Sequence, residues 1–138
     1  MNNMLHEPTA LPIRNGLRDL RASLLPLHKS LLEHEKIEYE RDRGRSVTPG
    51  ELVRLALGDP WFGWLRKLSE MIVGIDQLLE DDAASMDDGL LMLQTARALF
   101  RPGPDETDFL RRYKAALQRD PASVLAHVQV QRALFTDS

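Results

Sequence analysis

Four histidines, at positions 6, 28, 34 and 127, are the only imidazoles of the chain, and Glu35, Glu38 and Tyr39 follow closely on the middle two. Imidazoles and carboxylates ligate metals and move protons near neutral pH, so this stretch is the first place to look for chemistry. In a helix each residue advances by about 100°, and with Leu17 as origin His28 falls at about 20°, Glu35 at about 0°, Glu38 at about 300° and Tyr39 at about 40°. All four lie in the arc of Leu17, Leu20, Leu24, Leu27 and Leu31. Glu35 is thereby expected on the middle of a buried face, where a carboxylate is costly unless paired, hydrogen-bonded or protonated. It must have a partner. His34 sits at the edge of the arc, one turn from Glu38.

Two readings of this cluster compete. In the first, a ligand site or proton-transfer site inside a helical bundle is built from Glu35, Glu38, Tyr39 and His28 with Trp61 and Trp64, and His34 and Glu38 are the candidate metal ligands. Carboxylate-bridged di-metal bundles use Glu-x-x-His pairs, and here no histidine follows a glutamate by three residues. The reversed His34-x-x-x-Glu38 is the nearest approach, and no cofactor is expected. In the second reading, Glu35 and Tyr39 form a structural polar network. The end of the first helix then lies near Trp61 and Trp64, where an indole N–H or free helix amides satisfy the carboxylate. His28 and His127 border apolar faces and read as packed and hydrogen-bonded, and Asp76 is placed to answer a basic residue across the bundle.

Other chemistries lack their residues. The chain has no cysteine, which removes disulfides, zinc–thiolate sites and thiol nucleophiles and fits a reducing compartment. No phosphate loop, Gly-x-Gly-x-x-Gly, Gly-x-Ser-x-Gly or His-Glu-x-x-His is present. The chain therefore leans away from enzymes, although scattered polar residues including Tyr39 and Tyr113 leave an unusual active site open.

The elements that must position these residues are helices. Polar caps, prolines at first turns and apolar spacings of three and four recur, while alternating strand patterns are missing. The class expected is all-α: an up-and-down helical bundle of about four main helices plus one short and one terminal helix, in one domain over residues 15–136 behind a flexible segment 1–14. The first helix is expected from 15 or 16 to about 42, bent at Pro26 on its solvent side. Thr48-Pro-Gly-Glu51 is a capping box for a short helix ending near Gly58. A single amphipathic helix over 60–81, with Trp61 and Trp64 in its apolar arc and Phe62 outside it, is expected to be the central one. Phe62 then needs cover from the short helix, a partner or a ligand. Helices over 86–100, from about 108 to 120 and from 121 to about 135 complete the set. Gly63 and Gly74, nearly aligned on the outer face, would admit the close approach of another helix.

Charge and hydropathy limit the partners. The chain has 138 residues, and 18 basic against 21 acidic residues give a net charge of −3, with the acids concentrated in its middle. The short basic clusters Arg41, Arg43, Arg45 and Arg111, Arg112, Lys114 are interleaved with other residues, so no nucleic-acid partner is expected. Neither a secretory leader nor a membrane-spanning run is read in the sequence, and the location expected is cytoplasmic, with no membrane partner.

The segment Asp59-Pro-Trp-Phe-Gly-Trp-Leu-Arg-Lys-Leu-Ser-Glu-Met-Ile-Val-Gly-Ile-Asp76 resembles one carried by a group of uncharacterised bacterial all-helical proteins, and the similarity extends to His28, Tyr39 and Arg111-Arg112-Tyr113. The resemblance implies a bacterial cytosolic protein and transfers no functional residue. The function expected is non-enzymatic, through self-association, possible homodimer formation included, or contact with another protein. The alternative is a bundle binding a metal or small ligand at the C-terminal half of the first helix.

Overall fold

The computed structural model describes residues 3–135 and is all-α. Among the described residues there are six α-helices: α1 (Leu11–Arg43), α2 (Pro49–Gly58), α3 (Arg66–Glu80), α4 (Met86–Phe100), α5 (Asp108–Arg119) and α6 (Pro121–Phe135). Residue 136, the last expected in the bundle, lies outside the described residues.

Polar caps set most of the boundaries. Thr48, Ser85 and Thr107 each accept a hydrogen bond from the backbone N–H three residues on, which satisfies one of the free amides at a helix start. The Thr48 hydroxyl also donates to the Glu51 carboxylate, completing the first turn of α2. Gly44, at φ 66°, closes α1 in the left-handed conformation that costs glycine least.

The central helix is α1, not the segment 60–81. It packs on α3, α4 and α6, and its Leu17, Leu20, Leu24, Leu27 and Leu31 are fully buried. Its length is the reason: a helix of 33 residues spans the whole bundle. Pro26 lies inside α1 on the exposed side, where water reaches the carbonyl it leaves free.

Residues 60–81 are divided. Pro60–Leu65 is a 3₁₀ turn and α3 begins only at Arg66. A 3₁₀ turn advances about 120° per residue, so positions three apart eclipse. Phe62, Leu65 and Leu68 consequently share the inward face and are buried, while Trp61 is only half-buried. Trp64 is buried as expected, but Phe62 replaces Trp61 on the inward side and is covered from within the chain. The glycine alignment is lost as well. A Cβ on Gly74 would lie 2.7 Å from the Met92 methyl of α4, so the notch receives a neighbouring helix of the same chain.

The start of the bundle also moves. A turn at Pro8–Ala10 leads into α1 at Leu11, with Pro12 in its first turn in place of a side-chain cap. The preceding residues are tied down. Leu5 is fully buried and its N–H donates to the Ala84 carbonyl at 2.8 Å, Met86 N–H donates to the Asn3 carbonyl at 2.7 Å, and Arg14 donates to the Leu5 and Glu7 carbonyls. The segment expected to be flexible is, from residue 3, a strap across the α3–α4 turn. Leu5 supplies the apolar anchor that the polar composition around it concealed.

Candidate functional site

The ionisable face of α1 is not one site. It is distributed over three sides of the helix.

Toward the α5–α6 turn, His34 and Glu38 line an open cleft of about 840 Å³ with Lys29, Arg119 and Asp120. Asp120 organises its floor. Its carboxylate accepts from the Ala122 backbone N–H at 3.2 Å, from Ser123 Oγ at 2.7 Å and from Ser30 Oγ at 3.2 Å. Burial opposes ionisation of Asp120, yet the bonds from Ser123, Ala122 and Ser30 together hold its pKa below the usual carboxylate value. His34 and Glu38 share the cleft wall as expected, but among the described residues no three His, Asp or Glu side chains gather as a metal would require.

Toward the 3₁₀ turn, Glu35 is half-buried beside Trp61. Desolvation is the main influence on the carboxyl and raises its pKa; neighbouring His34, the Trp61 indole and Arg112 act in the opposite direction. The Trp61 Nε1–H is fully buried without reaching hydrogen-bond geometry, and is the one such side-chain atom among the described residues. Tyr39 is buried against Trp61 and Phe62, with ring centroids 5.7 and 5.6 Å away, and the Arg43 guanidinium lies 5.0 Å from the centroid of its ring. Glu35, Tyr39 and Trp61 are thus neighbours as the second reading expected, but they are held by ring packing, and no hydrogen bond joins them among the described residues.

Toward α2, His28 lines a smaller cleft of about 260 Å³ whose walls are Leu32, Leu52, Ala56, Phe62 and Leu65. Desolvation lowers its pKa. Trp64 belongs to none of these places: it is buried with its ring 5.8 Å from Phe109, in an aromatic stack that continues to Phe100 and Tyr113. Asp76 does find its basic partner across the bundle, Arg21, with both side chains about 40% exposed.

One pairing of a phenol with an imidazole was not anticipated. Tyr113 Oη lies 2.6 Å from His127 Nδ1, joining α5 to α6. The signal was present. The two residues stand seven positions on either side of Asp120, the turn residue, so an antiparallel hairpin brings them level.

Fold and clefts together define a small all-α bundle whose first helix borders two separate surface clefts. Compared with known proteins, the chain matches no family model, no curated protein and no solved structure.

Proposed function

We propose that the protein is non-enzymatic and works by self-association through α2 and the cleft beside it. One observation carries the reading: α2 has no buried residue, although Leu52, Val53, Leu55, Ala56 and Leu57 make half of its length. Val53 is 60% and Leu57 76% exposed, two large apolar groups left in water on one face. These two protruding side chains stand at the edge of the apolar His28 cleft. Knob and hole on one face are what a two-fold interface uses, each copy filling the recess of the other. The reading places the protein in the bacterial cytoplasm, on the resemblance of the Asp59–Asp76 segment and the absence of cysteine; no helix among the described residues is long and apolar enough to cross a membrane.

Light scattering and native mass spectrometry of the intact chain test it. A dimer is expected that Leu57→Glu converts to monomer with helical content unchanged, while Leu125→Glu, on α6, leaves it intact. A wild-type protein that stays monomeric at high micromolar concentration overturns the reading. A second reading, a small ligand between α1 and the α5–α6 turn, is favoured by the size of the His34–Glu38 cleft. A stoichiometric extra mass, lost on Glu38→Gln, would support it.

A further inference from the structure

The Tyr113–His127 pair lies against a recess that neither reading uses. It has a volume of about 440 Å³, which is within the ~300–1,000 Å³ typical of small-molecule sites. Phe100, Leu110, Leu117 and Phe135 form its apolar walls. Arg101 and Lys114 also line it, and no aspartate or glutamate does so among the described residues.

The pair fixes which hydrogen the recess is offered. Tyr113 is 1% exposed and its hydroxyl has no partner among the described residues except His127. Burial raises the Tyr113 pKa, so the phenol keeps its proton, and desolvation lowers that of His127, which keeps the imidazole neutral. The phenol O–H therefore donates to Nδ1, because a donating Nδ1–H would leave a buried O–H without an acceptor. The remaining hydrogen of the neutral ring is then on Nε2. That atom has no partner among the described residues and is not buried, so it is free to donate to a molecule in the recess. The two cations are also available in part. The Arg101 guanidinium lies 5.2 Å from the centroid of the Phe135 ring without an ion pair among the described residues, and Lys114 is held at 3.6 Å by Glu106 in a half-exposed pair.

We propose that the recess binds a small apolar carboxylate, with the apolar part between the aromatic and leucine walls and the carboxylate facing the His127 Nε2–H, Arg101 and Lys114. Three donors, with no aspartate or glutamate in the lining among the described residues, select an anion over a neutral or cationic molecule of the same shape. Tyr113 is a positioning residue: it acts by holding the imidazole tautomer.

The test is an NMR titration of the full chain with octanoate, octanol and octylamine, which share an alkyl chain and differ in charge. Octanoate is expected to shift the His127 and Leu117 resonances saturably and to bind at least tenfold more tightly than octylamine. Arg101→Ala and Lys114→Ala, both at exposed positions, are each expected to weaken it by about fivefold. Ring ¹⁵N shifts of His127 report the tautomer independently: wild type is expected to carry the hydrogen on Nε2, and Tyr113→Phe to release a mixture. Octanol or octylamine binding as well as octanoate, shifts confined to other parts of the protein, or a wild-type Nδ1–H tautomer would each overturn the proposal.

Discussion

Replacing Phe62 by alanine tests the 3₁₀ register directly. Phe62 has no exposed surface, its ring lies 5.6 Å from Tyr39, and it forms part of the His28 cleft. Burying such a ring contributes about 1.5–3 kcal/mol, and the aromatic pair adds about 0.5–1.5 kcal/mol. The space left behind opens into the cleft and is hydrated from it, so little is added for an empty cavity. A loss of about 3 kcal/mol is expected, the lower end of the range for Phe→Ala in cores. For a domain of this size that is a large share of a total of about 5–15 kcal/mol. Urea unfolding followed by circular dichroism and tryptophan fluorescence should show a lower midpoint at unchanged slope, and the melting temperature should fall by about 10 °C. If residues 60–65 continued α3 in α-helical register, Phe62 would face outward and the same change would cost about 0.5 kcal/mol at most. A measured loss below about 1 kcal/mol refutes the register.

Two further perturbations reach other parts of the fold. A Cβ at Gly89 would lie 2.9 Å from Leu5 Cδ1 and 3.0 Å from Ile13 Cγ2, so Gly89→Ala should push the N-terminal strap from α4; a net loss of about 1 kcal/mol is expected after the helix gains from alanine, with faster amide exchange at Leu5 and Met86. His28 and His127 both have pKa values lowered by burial from the ordinary 6.5, so the unfolded chain binds protons more readily than the folded one just below that pH. Their contribution to stability is complete above pH 6.5 and is lost as the pH falls through 6.5 toward the folded values. His28→Gln should flatten that part of the urea-midpoint profile, and a profile as steep as wild type between pH 7 and 5 would refute the assignment. Glu35 acts in the opposite sense: its raised pKa makes the folded state gain relative stability as the pH falls toward 4.5, so Glu35→Gln should steepen the acid loss.

The helices were legible because their signals are local. Thr48, Ser85 and Thr107 cap where their side chains predict, and the leucine spacing of α1 names its buried face. What escaped was set by choices that local pattern does not encode. Pro60–Leu65 has an apolar content that satisfies either a 3.0 or a 3.6 period, and the shorter one prevails where Phe62 meets Tyr39. Leu5 has only Met4 as a large apolar neighbour in sequence, and its burial depends on the α3–α4 turn and α4, which come some 80 residues later. For the candidate site, angle on α1 put Tyr39 inward and Glu35 near Trp61, though without the hydrogen bond expected there, and one helix face 33 residues long meets different neighbours along its length. Nearness in angle therefore did not make His28, His34 and Glu35 one site. The Tyr113–His127 contact depends on a turn between helices, and only counting outward from Asp120 exposes it.

The Asp120 cluster has a consequence for how the protein is made. Through Ser30 and Ser123 it fastens α1 to α6 across 93 positions of sequence, and α6 has an extensive contact with α1. Every helix between them is synthesised before the leucines of α1 receive that cover. A nascent chain that has released α1 through α4 still presents part of an apolar stripe with no partner, a state prone to association with other chains. The order of synthesis thus leaves the first helix waiting for α6, and a chaperone that shields short leucine-rich segments would act on this protein in that interval.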